Sequence, residues 1–285
     1  ESRAGLPEPT PTVPFLELSL REPPESIAEP IGGFRANARM AGMRVAELHR
    51  ALATSLGDPA FELQTYSSMD QRSLYQSMRN VTGTTLRELR LSRAALTPFG
   101  APLASDVLSL GPTIYDLFAP LLTTRLTAKR SRVHGTLDLR NMLWLGKDYV
   151  IVDFEGDRHR SLADRKRKRS PLRDVASMIR SYKRLAATVC FDPGLVRDDD
   201  REFALPWTDA WSEWIAAAFL AGYLEEGRDL PFLPPDPDEM AMLIDLFVLE
   251  ATLVDLRRTL LENPRRADVA LHGLHQLLGR ITSMG

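Results

Sequence analysis

The chain has 285 residues, of which 44% are hydrophobic and 26% are charged. This composition is typical of a globular domain, and the formal net charge of -2 gives no basis for binding nucleic acid or an anionic membrane surface. The single cysteine, Cys190, cannot form an internal disulfide, and no apolar run is long enough to span a bilayer. We therefore expect a cytoplasmic protein with neither nucleic-acid nor membrane partners.

Residues 1–30 contain seven prolines and few apolar anchors, a pattern that predicts a linker or a loosely packed arm. The chain starts at Glu1 without an initiator methionine or a signal-peptide pattern, so we expect that an upstream part precedes it. The pattern changes at residue 31, and residues 31–285 are predicted to form one domain.

Amphipathic helices are predicted in the first half of that domain. Apolar residues between positions 34 and 52 recur at three- and four-residue steps, which indicates a helix ending near Gly57. A second helix is predicted to start near Asp70. The apolar stretch 103–126 is long enough to lie in the core, and Gly111, followed by a proline, is expected to break or kink it.

The segment between residues 142 and 152 is different. Two short β-prone runs, 142–145 and 149–152, flank a glycine-bearing turn at Gly146 and so predict a β-hairpin. The predicted fold is mainly α (α+β overall), with the architecture of the larger, C-terminal lobe of a protein-kinase-like fold and one small β-hairpin. Further helices are predicted at about 171–190, 207–227, 237–263 and 266–283.

Candidate metal ligands flank the predicted hairpin. Kinase-like enzymes need an orienting carboxylate at the acceptor hydroxyl, an asparagine five residues later, and an aspartate after a short hairpin for the metal on the ATP phosphates. Asn141 and Asp153 stand at the last two of these positions. Mg²⁺ takes only one or two oxygen ligands from protein, so this pair suffices. The alternative is that both are ordinary turn residues.

Three segments carry a family resemblance: 150–156 (VIVDFEG), 161–166 (SLADRK) and 168–176 (KRSPLRDVA). They resemble the signature stretch of bacterial maltokinases, which often occur fused to a trehalose synthase. The resemblance implies transfer of the ATP γ-phosphoryl to the anomeric hydroxyl of maltose with Mg²⁺, with trehalose synthase as a possible partner. It also implies a separate nucleotide-binding N-terminal lobe, which residues 1–30 are too short to supply. The regions it defines are a catalytic loop at 133–141, a hairpin with the metal loop at 142–154 and a helical sugar-binding region at 171–285.

The catalytic loop departs from the family pattern at the position of the base. Thr136 stands where the family has the catalytic aspartate, and Asp138 stands where it has a second histidine. A threonine hydroxyl does not accept a proton near neutral pH, and losing a positioned base costs about 10²–10⁴ in rate. Either Asp138 acts as a displaced base, or the chain is a catalytically impaired pseudokinase that binds sugar, nucleotide or a trehalose-synthase partner.

The sugar-binding helix departs as well. Ala251, Val254, Arg258 and Thr259 replace a lysine, two tyrosines and a glutamate of the family pattern, and only Asp255 keeps a carboxylate. Arg173 and Asp174 lie by the sugar pocket in the family, although a first-turn ion pair is the simpler interpretation. The candidate substrate-binding residues are His134, Glu155, Arg173, Asp174 and Asp255.

Trp207, Trp211 and Trp214 form a stripe at helical spacing, for which a packed core face is favoured over a sugar platform. Three functions remain open from the sequence: a sugar phosphotransferase, a pseudokinase, and a structural module that docks on a trehalose synthase. The last of these rests on fold-level analogy alone.

Overall fold

The computed structural model describes residue 7 and residues 10–54, 56–158 and 161–282. This part of the chain is mostly helical, as the sequence predicts. The helices are α1 Phe15–Leu18, α2 Glu25–Leu52, α3 Ser68–Ser92, α4 Gly100–Ser109, α5 Gly111–Asp116, α6 Pro120–Thr123, α7 Leu162–Arg165, α8 Leu172–Phe191, α9 Arg201–Glu226, α10 Pro237–Glu262 and α11 Asp268–Thr282.

Strands are few and short. β1 (Gln64–Thr65) pairs antiparallel with β2 (Lys129–Arg130), a small sheet that the sequence patterns do not reveal. β3 (Met142–Trp144) and β4 (Tyr149–Ile151) form the antiparallel hairpin, with Met142 opposite Ile151. Gly146 lies in its turn at a φ of +85°, a backbone conformation that favours glycine. The hairpin positions the residues that follow β4 next to those that precede β3.

The first 30 residues differ from the expected loose arm. The side chains of Phe15 and Leu18 in α1 are fully buried, and α2 begins at Glu25 rather than at residue 31. Pro30 lies inside α2 and removes one helical hydrogen bond, but Ile27 and Ile31 are buried on the same helix face and offset that cost. Residues 1–6, 8 and 9 of the expected arm lie outside the described residues.

α2 and α9 lie in unusually close contact, and two glycines make the approach possible. A Cβ atom added at Gly42 would lie 2.0 Å from the carbonyl oxygen of Phe219. One added at Gly222 would lie 2.0 Å from the carbonyl oxygen of Arg39. Because backbone rather than a flexible side chain occupies both places, neither position accepts a larger residue without a shift of a helix. This contact places the C-terminal halves of α2 and α9 side by side.

The predicted helix boundaries agree with the structure in most places. Ser67 and Asp70 form a capping box at the start of α3, and Asp236 caps α10 by accepting from the amide of Asp238. The apolar stretch 103–126 is broken at Leu110–Gly111, between α4 and α5. α8 packs on α9 and α10, and α10 also packs on α3, so these helices enclose the core. Among the described residues no helix is both long and apolar enough to cross a membrane.

Candidate active site

A buried carboxylate accepts hydrogen bonds from the backbone of the predicted catalytic loop. Asp174, at the start of α8, accepts hydrogen bonds from the amides of His134 (2.7 Å) and Gly135 (2.9 Å). Gly135 has a φ of +83°, which lets the backbone turn both amides toward that carboxylate. Asp174 was predicted as a sugar ligand, but its side chain is 2% exposed and points at the backbone. The structure places it as a support of the loop.

Behind Asp174 lies a second layer of support. His49 Nε2 lies 3.3 Å from Asp174 Oδ2, and His49 Nδ1 lies 2.9 Å from the Tyr223 hydroxyl. His49 belongs to α2 and Tyr223 to α9, so the close contact between those helices brings this pair together. Burial raises the pKa of Tyr223 well above its ordinary value, and the Asp174 charge adds to that rise. Tyr223 therefore stays protonated and keeps a hydroxyl hydrogen to donate.

The other end of the loop is a single helical turn, 139–141, capped by Asp138. The Asp138 carboxylate accepts from the Arg140 amide at 2.8 Å and forms an ion pair with the Arg140 guanidinium. In return Asn141 Oδ1 accepts from the Asp138 amide at 3.0 Å. The Leu139 amide donates to Ser181 Oγ at 3.0 Å, which fastens this turn to α8.

These contacts bear on the use of Asp138 as a base. Burial alone would raise the pKa of Asp138, but the hydrogen bonds from the Arg140 side chain and backbone outweigh it, so the pKa lies below its ordinary value. A carboxylate with a lowered pKa is a weak proton acceptor. Thr136, at the position of the missing aspartate, has its Oγ1 3.5 Å from His134 Nδ1. The displaced-base role of Asp138 stays a prediction.

The hairpin brings together the two predicted metal ligands. Asn141 Nδ2 lies 3.4 Å from Asp153 Oδ2, and the Val152 amide donates to the Asn141 carbonyl at 3.0 Å. Asp153 follows β4 with a φ of +69°, a left-handed conformation that is uncommon for a residue other than glycine. A strained backbone conformation persists only where the surrounding structure holds it in place, and such residues cluster at functional sites.

The side chains of Asn141 and Asp153 carry the type of oxygen ligand that Mg²⁺ prefers. Asp153 supplies an exposed carboxylate and Asn141 an amide oxygen, and Mg²⁺ binds hard oxygen ligands while completing its shell with water and phosphate oxygens. Asn141 presents its amide nitrogen to Asp153 here because its Oδ1 accepts from the Asp138 amide, so ligation by that oxygen requires this capping hydrogen bond to be given up. In the part of the chain that the structure describes, no three His, Cys, Asp or Glu side chains gather as a metal site.

His134 and Glu155 flank the metal loop. His134 Nε2 lies 2.9 Å from the Val152 carbonyl oxygen, and its ring packs on Phe154 at 4.9 Å between centroids. His134 is buried and so ties the catalytic loop to the end of β4. Glu155 is 59% exposed, pairs with Arg158, and its carbonyl accepts from Arg165. Both remain candidate substrate-binding residues by position.

The remaining predicted sugar ligands lie between α8 and α10. Arg173 forms an ion pair with Glu250 at 2.6 Å and stacks over the Phe247 ring at 4.7 Å, so it is committed to packing against α10. Asp255 is surrounded by arginines from both helices, at 2.8 to 3.4 Å. The sequence prediction missed Arg180 and Arg184 of α8; their four-residue spacing, which puts them on one face of a helix, was a signal.

An apolar cavity of about 670 Å³ adjoins the hairpin and the capped turn. Leu139 and Tyr149 line one side, and Phe34, Trp207 and Trp211 line the other. Trp214, the third member of the predicted stripe, is buried in the core. The stripe is therefore divided between the core and this cavity, whose wall is mainly hydrocarbon.

No family model matches this sequence. Solved structures of glucosamine kinase share its fold. The complex with glucosamine, ADP and inorganic phosphate is 18% identical with a TM-score of 0.69, covering 95% of this chain and 61% of that one. Crystal form B is 19% identical with a TM-score of 0.68, covering 94% and 58%. Crystal form A is 20% identical with a TM-score of 0.67, covering 87% and 55%. The chain thus spans less than two thirds of the length of each.

Proposed function

We propose that this chain forms the metal- and acceptor-binding lobe of an ATP-dependent phosphotransferase that acts on a sugar hydroxyl. The observation that carries the proposal is the meeting of Asn141 and Asp153 across the hairpin, beside a loop fastened by Asp174. That arrangement occurs in a fold shared with glucosamine kinase, whose solved complex contains a sugar and ADP. We assign the catalytic loop to 133–141, the metal loop to 142–154 and the acceptor region to 171–285.

Asn141 and Asp153 would hold Mg²⁺, which offsets negative charge on the ATP phosphates when bound. In the transfer, the bond from the γ-phosphorus to the ADP oxygen breaks, a bond to the acceptor oxygen forms, and the hydroxyl proton is released. Phosphoryl transfer passes through a loose transition state, so positioning and charge dominate over covalent help from the protein. Asp174, His49 and Tyr223 serve positioning by fixing the loop backbone.

The absence of aspartate at position 136 lowers the expected rate without removing the function. A positioned base contributes about 10²–10⁴ in rate, which leaves the contribution of orientation and electrostatics in place. For Asp138 to take up the proton it has to leave the Arg140 guanidinium. Maltose as the acceptor, its anomeric hydroxyl as the target, and trehalose synthase as a partner stay predictions from the family resemblance.

A transfer assay tests this proposal. The full-length protein is incubated with Mg-ATP and a panel of neutral, amino and acidic sugars, and phosphorylated product is measured by mass spectrometry. We expect slow transfer to one class of sugar that requires Mg²⁺. Asp138→Asn abolishes transfer if Asp138 is the displaced base, while Asp229→Asn, at an 82% exposed carboxylate, leaves it unchanged.

A second candidate function is that of a pseudokinase that binds Mg-ATP without transferring phosphate. The specific observation in its favour is the ion pair that holds Asp138 as a loop cap, combined with threonine at position 136. Mg-ATP binding without turnover on any sugar of the panel would establish this function and exclude the first.

A further inference from the structure

Six charged side chains meet where α8 and α10 face the end of the catalytic loop. We call them the arginine cluster. Four are positive and two are negative, so two positive charges remain uncompensated within the group. Its members are Arg140, Arg180, Arg184, Arg258, Asp138 and Asp255.

The pairing inside the arginine cluster is incomplete because one oxygen serves three guanidinium groups. Asp255 Oδ1 lies 2.8 Å from Arg258, 3.2 Å from Arg180 and 3.4 Å from Arg184. Arg180 Nη1 is buried, and within the described part of the chain it has no hydrogen-bond partner of good geometry. A buried donor without an acceptor costs free energy, and a bound anion would supply the acceptor.

Burial has the largest effect on the pKa of the Arg180 guanidinium of the arginine cluster. Burial lowers the pKa of Arg180, the neighbouring Arg184 and Arg258 lower it further, and Asp255 and Asp138 oppose them. The pKa of Arg180 lies below its ordinary value chiefly because the guanidinium is buried, and the two carboxylates only partly offset that burial.

The cluster lies beside the residues assigned to phosphoryl transfer. Leu139, between Asp138 and Arg140, is hydrogen-bonded to Ser181 of α8, and Asn141 follows one position after Arg140. The cluster is also open to solvent on one side, where the side chains of Arg140 and Arg258 are 70% and 49% exposed. A ligand can therefore contact Arg140 and Arg258 of the arginine cluster from solvent.

We propose that the acceptor of this phosphotransferase is a hydroxyl compound carrying a carboxylate or phosphate group, which the arginine cluster binds. This inference rests on the proposed function and narrows its substrate. An amino sugar would bring a positive charge to a site that already has two in excess. A neutral disaccharide would meet few polar partners, because Ala251 and Val254 stand four positions before Asp255 and Arg258 on α10 and the cavity beside the hairpin is apolar.

Binding to the full-length protein tests the proposal directly. Isothermal titration calorimetry compares four probes of equal ring size, namely glucose, glucosamine, glucuronate and glucose 6-phosphate. We expect at least one anionic probe to bind at least tenfold more tightly than glucose, and glucosamine to bind more weakly than either anion. Preference for glucuronate identifies a carboxylate as the recognised group, and preference for glucose 6-phosphate identifies a phosphate. Equal affinity for glucose and both anions would overturn the proposal.

Charge-removing variants assign the binding to the cluster. Arg184→Gln and Arg258→Gln are each expected to weaken binding of the preferred anion by about tenfold to a hundredfold, because each removes a charge-assisted hydrogen bond. Arg258→Lys keeps the charge and should retain part of the affinity. The matched control is Arg197→Gln, at an 83% exposed arginine paired with Asp200 in another part of the fold. Unchanged anion affinity in both cluster variants, with the control equally unchanged, would show that the cluster is not the site.

Anion binding, Mg-ATP binding and phosphoryl transfer, all measured on the full-length protein, distinguish failure of this inference from failure of the proposed function. Anion binding that depends on the cluster, in a protein that does not bind Mg-ATP, supports the anion site and refutes the phosphotransferase. Mg-dependent transfer to glucose or maltose, at rates unaffected by Arg184→Gln and Arg258→Gln, supports the phosphotransferase and refutes the anionic acceptor.

Discussion

The loop 133–141, which we propose as the catalytic loop, has a buried underside and an outer face with exposed side chains, and the two are built from different kinds of residue. On the underside, Asp174, His49 and Tyr223 form a connected hydrogen-bonded group whose members are at most 2% exposed. On the outer face, Thr136 stands where the resembled family has an aspartate, and the exposed Arg140 forms an ion pair with Asp138. The underside is a connected hydrogen-bonded support, whereas the residues at positions 136 and 138 differ from those of the family that the sequence resembles.

The residues that fix the backbone of this loop are therefore different from the residues that could contact a ligand. Two backbone amides on a buried carboxylate fix the path of the chain whatever side chain stands at position 136. The path of the loop backbone is therefore a property of the fold and does not identify a substrate. The substrate has to be inferred from the charged side chains that face outward. Substitutions that disturb the underside are expected to lower the free energy of unfolding more than substitutions on the outer face.

The largest effect is expected from Gly222→Ala, which forces α2 and α9 apart. The added Cβ meets the Arg39 carbonyl oxygen, so a helix must move and the His49–Tyr223 contact loosens. We expect a loss of about 3–5 kcal/mol in the free energy of unfolding, measured in urea. Gly273→Ala is the control, because its Cβ meets nothing within 4 Å and the change is expected to be neutral or stabilising by up to about 1 kcal/mol. Equal effects would refute the close-packing account.

Asp174→Ala is expected to cost about 3 kcal/mol, because the buried amide of His134 and the partly buried amide of Gly135 lose their acceptor. Hydrogen exchange adds a local readout: the amides of His134 and Gly135 should lose protection selectively. Asp229→Ala removes an 82% exposed carboxylate and should change neither quantity. Retained protection at His134 and Gly135 in Asp174→Ala would show that the loop is held by something else.

Asp245 on α10 gives a pH-dependent test away from the loop. Burial raises the pKa of Asp245 to about 6, against the opposing charge of Arg280, and Asp245 Oδ1 has no hydrogen-bond partner in the described structure. A carboxyl whose pKa is raised by folding costs stability once it ionises, so the cost grows as pH rises from about 4 to 6. Asp245→Asn should therefore raise the free energy of unfolding by about 1–3 kcal/mol at pH 7. A gain that is as large at pH 4 as at pH 7 would contradict this.

The smallest effect on stability is expected from Arg140→Gln on the outer face. Arg140 is 70% exposed, so its ion pair with Asp138 contributes less than about 1 kcal/mol. The pKa of Asp138 should nevertheless rise, because burial then acts without the opposing guanidinium. Carboxyl NMR titration measures that pKa, with Arg197→Gln as the control. An unchanged Asp138 pKa would show that Arg140 does not hold this carboxylate in solution.

The hairpin and its flanking ligands could be predicted because they are local. A glycine-bearing turn between two β-prone runs fixes a hairpin within a dozen residues, and Asn141 and Asp153 follow from its geometry. The helix boundaries near Asp70 and Asp236 could be predicted for the same reason, since capping hydrogen bonds join residues only two or three positions apart. Local chemistry therefore accounts for most of the helices and for the candidate metal site.

The rest depends on contacts between distant segments. Arg184 and Asp255 are 71 positions apart, and no periodicity in either helix shows that they share a face. The role of His49 cannot be predicted from its sequence neighbours because its partners, Asp174 and Tyr223, lie on other helices. Composition predicts an arm for the proline-rich start because it does not reveal that Phe15 and Leu18 are buried against the core.

The central claim is that Asp153 and Asn141 form a metal-dependent nucleotide site, and calorimetric titration of the full-length protein with ATP tests it most directly. The account predicts ATP binding that requires Mg²⁺ and that Asp153→Asn weakens at least tenfold, while Asp157→Asn, four residues further on in the same loop, changes it little. Unchanged Mg-ATP affinity in Asp153→Asn would contradict the account.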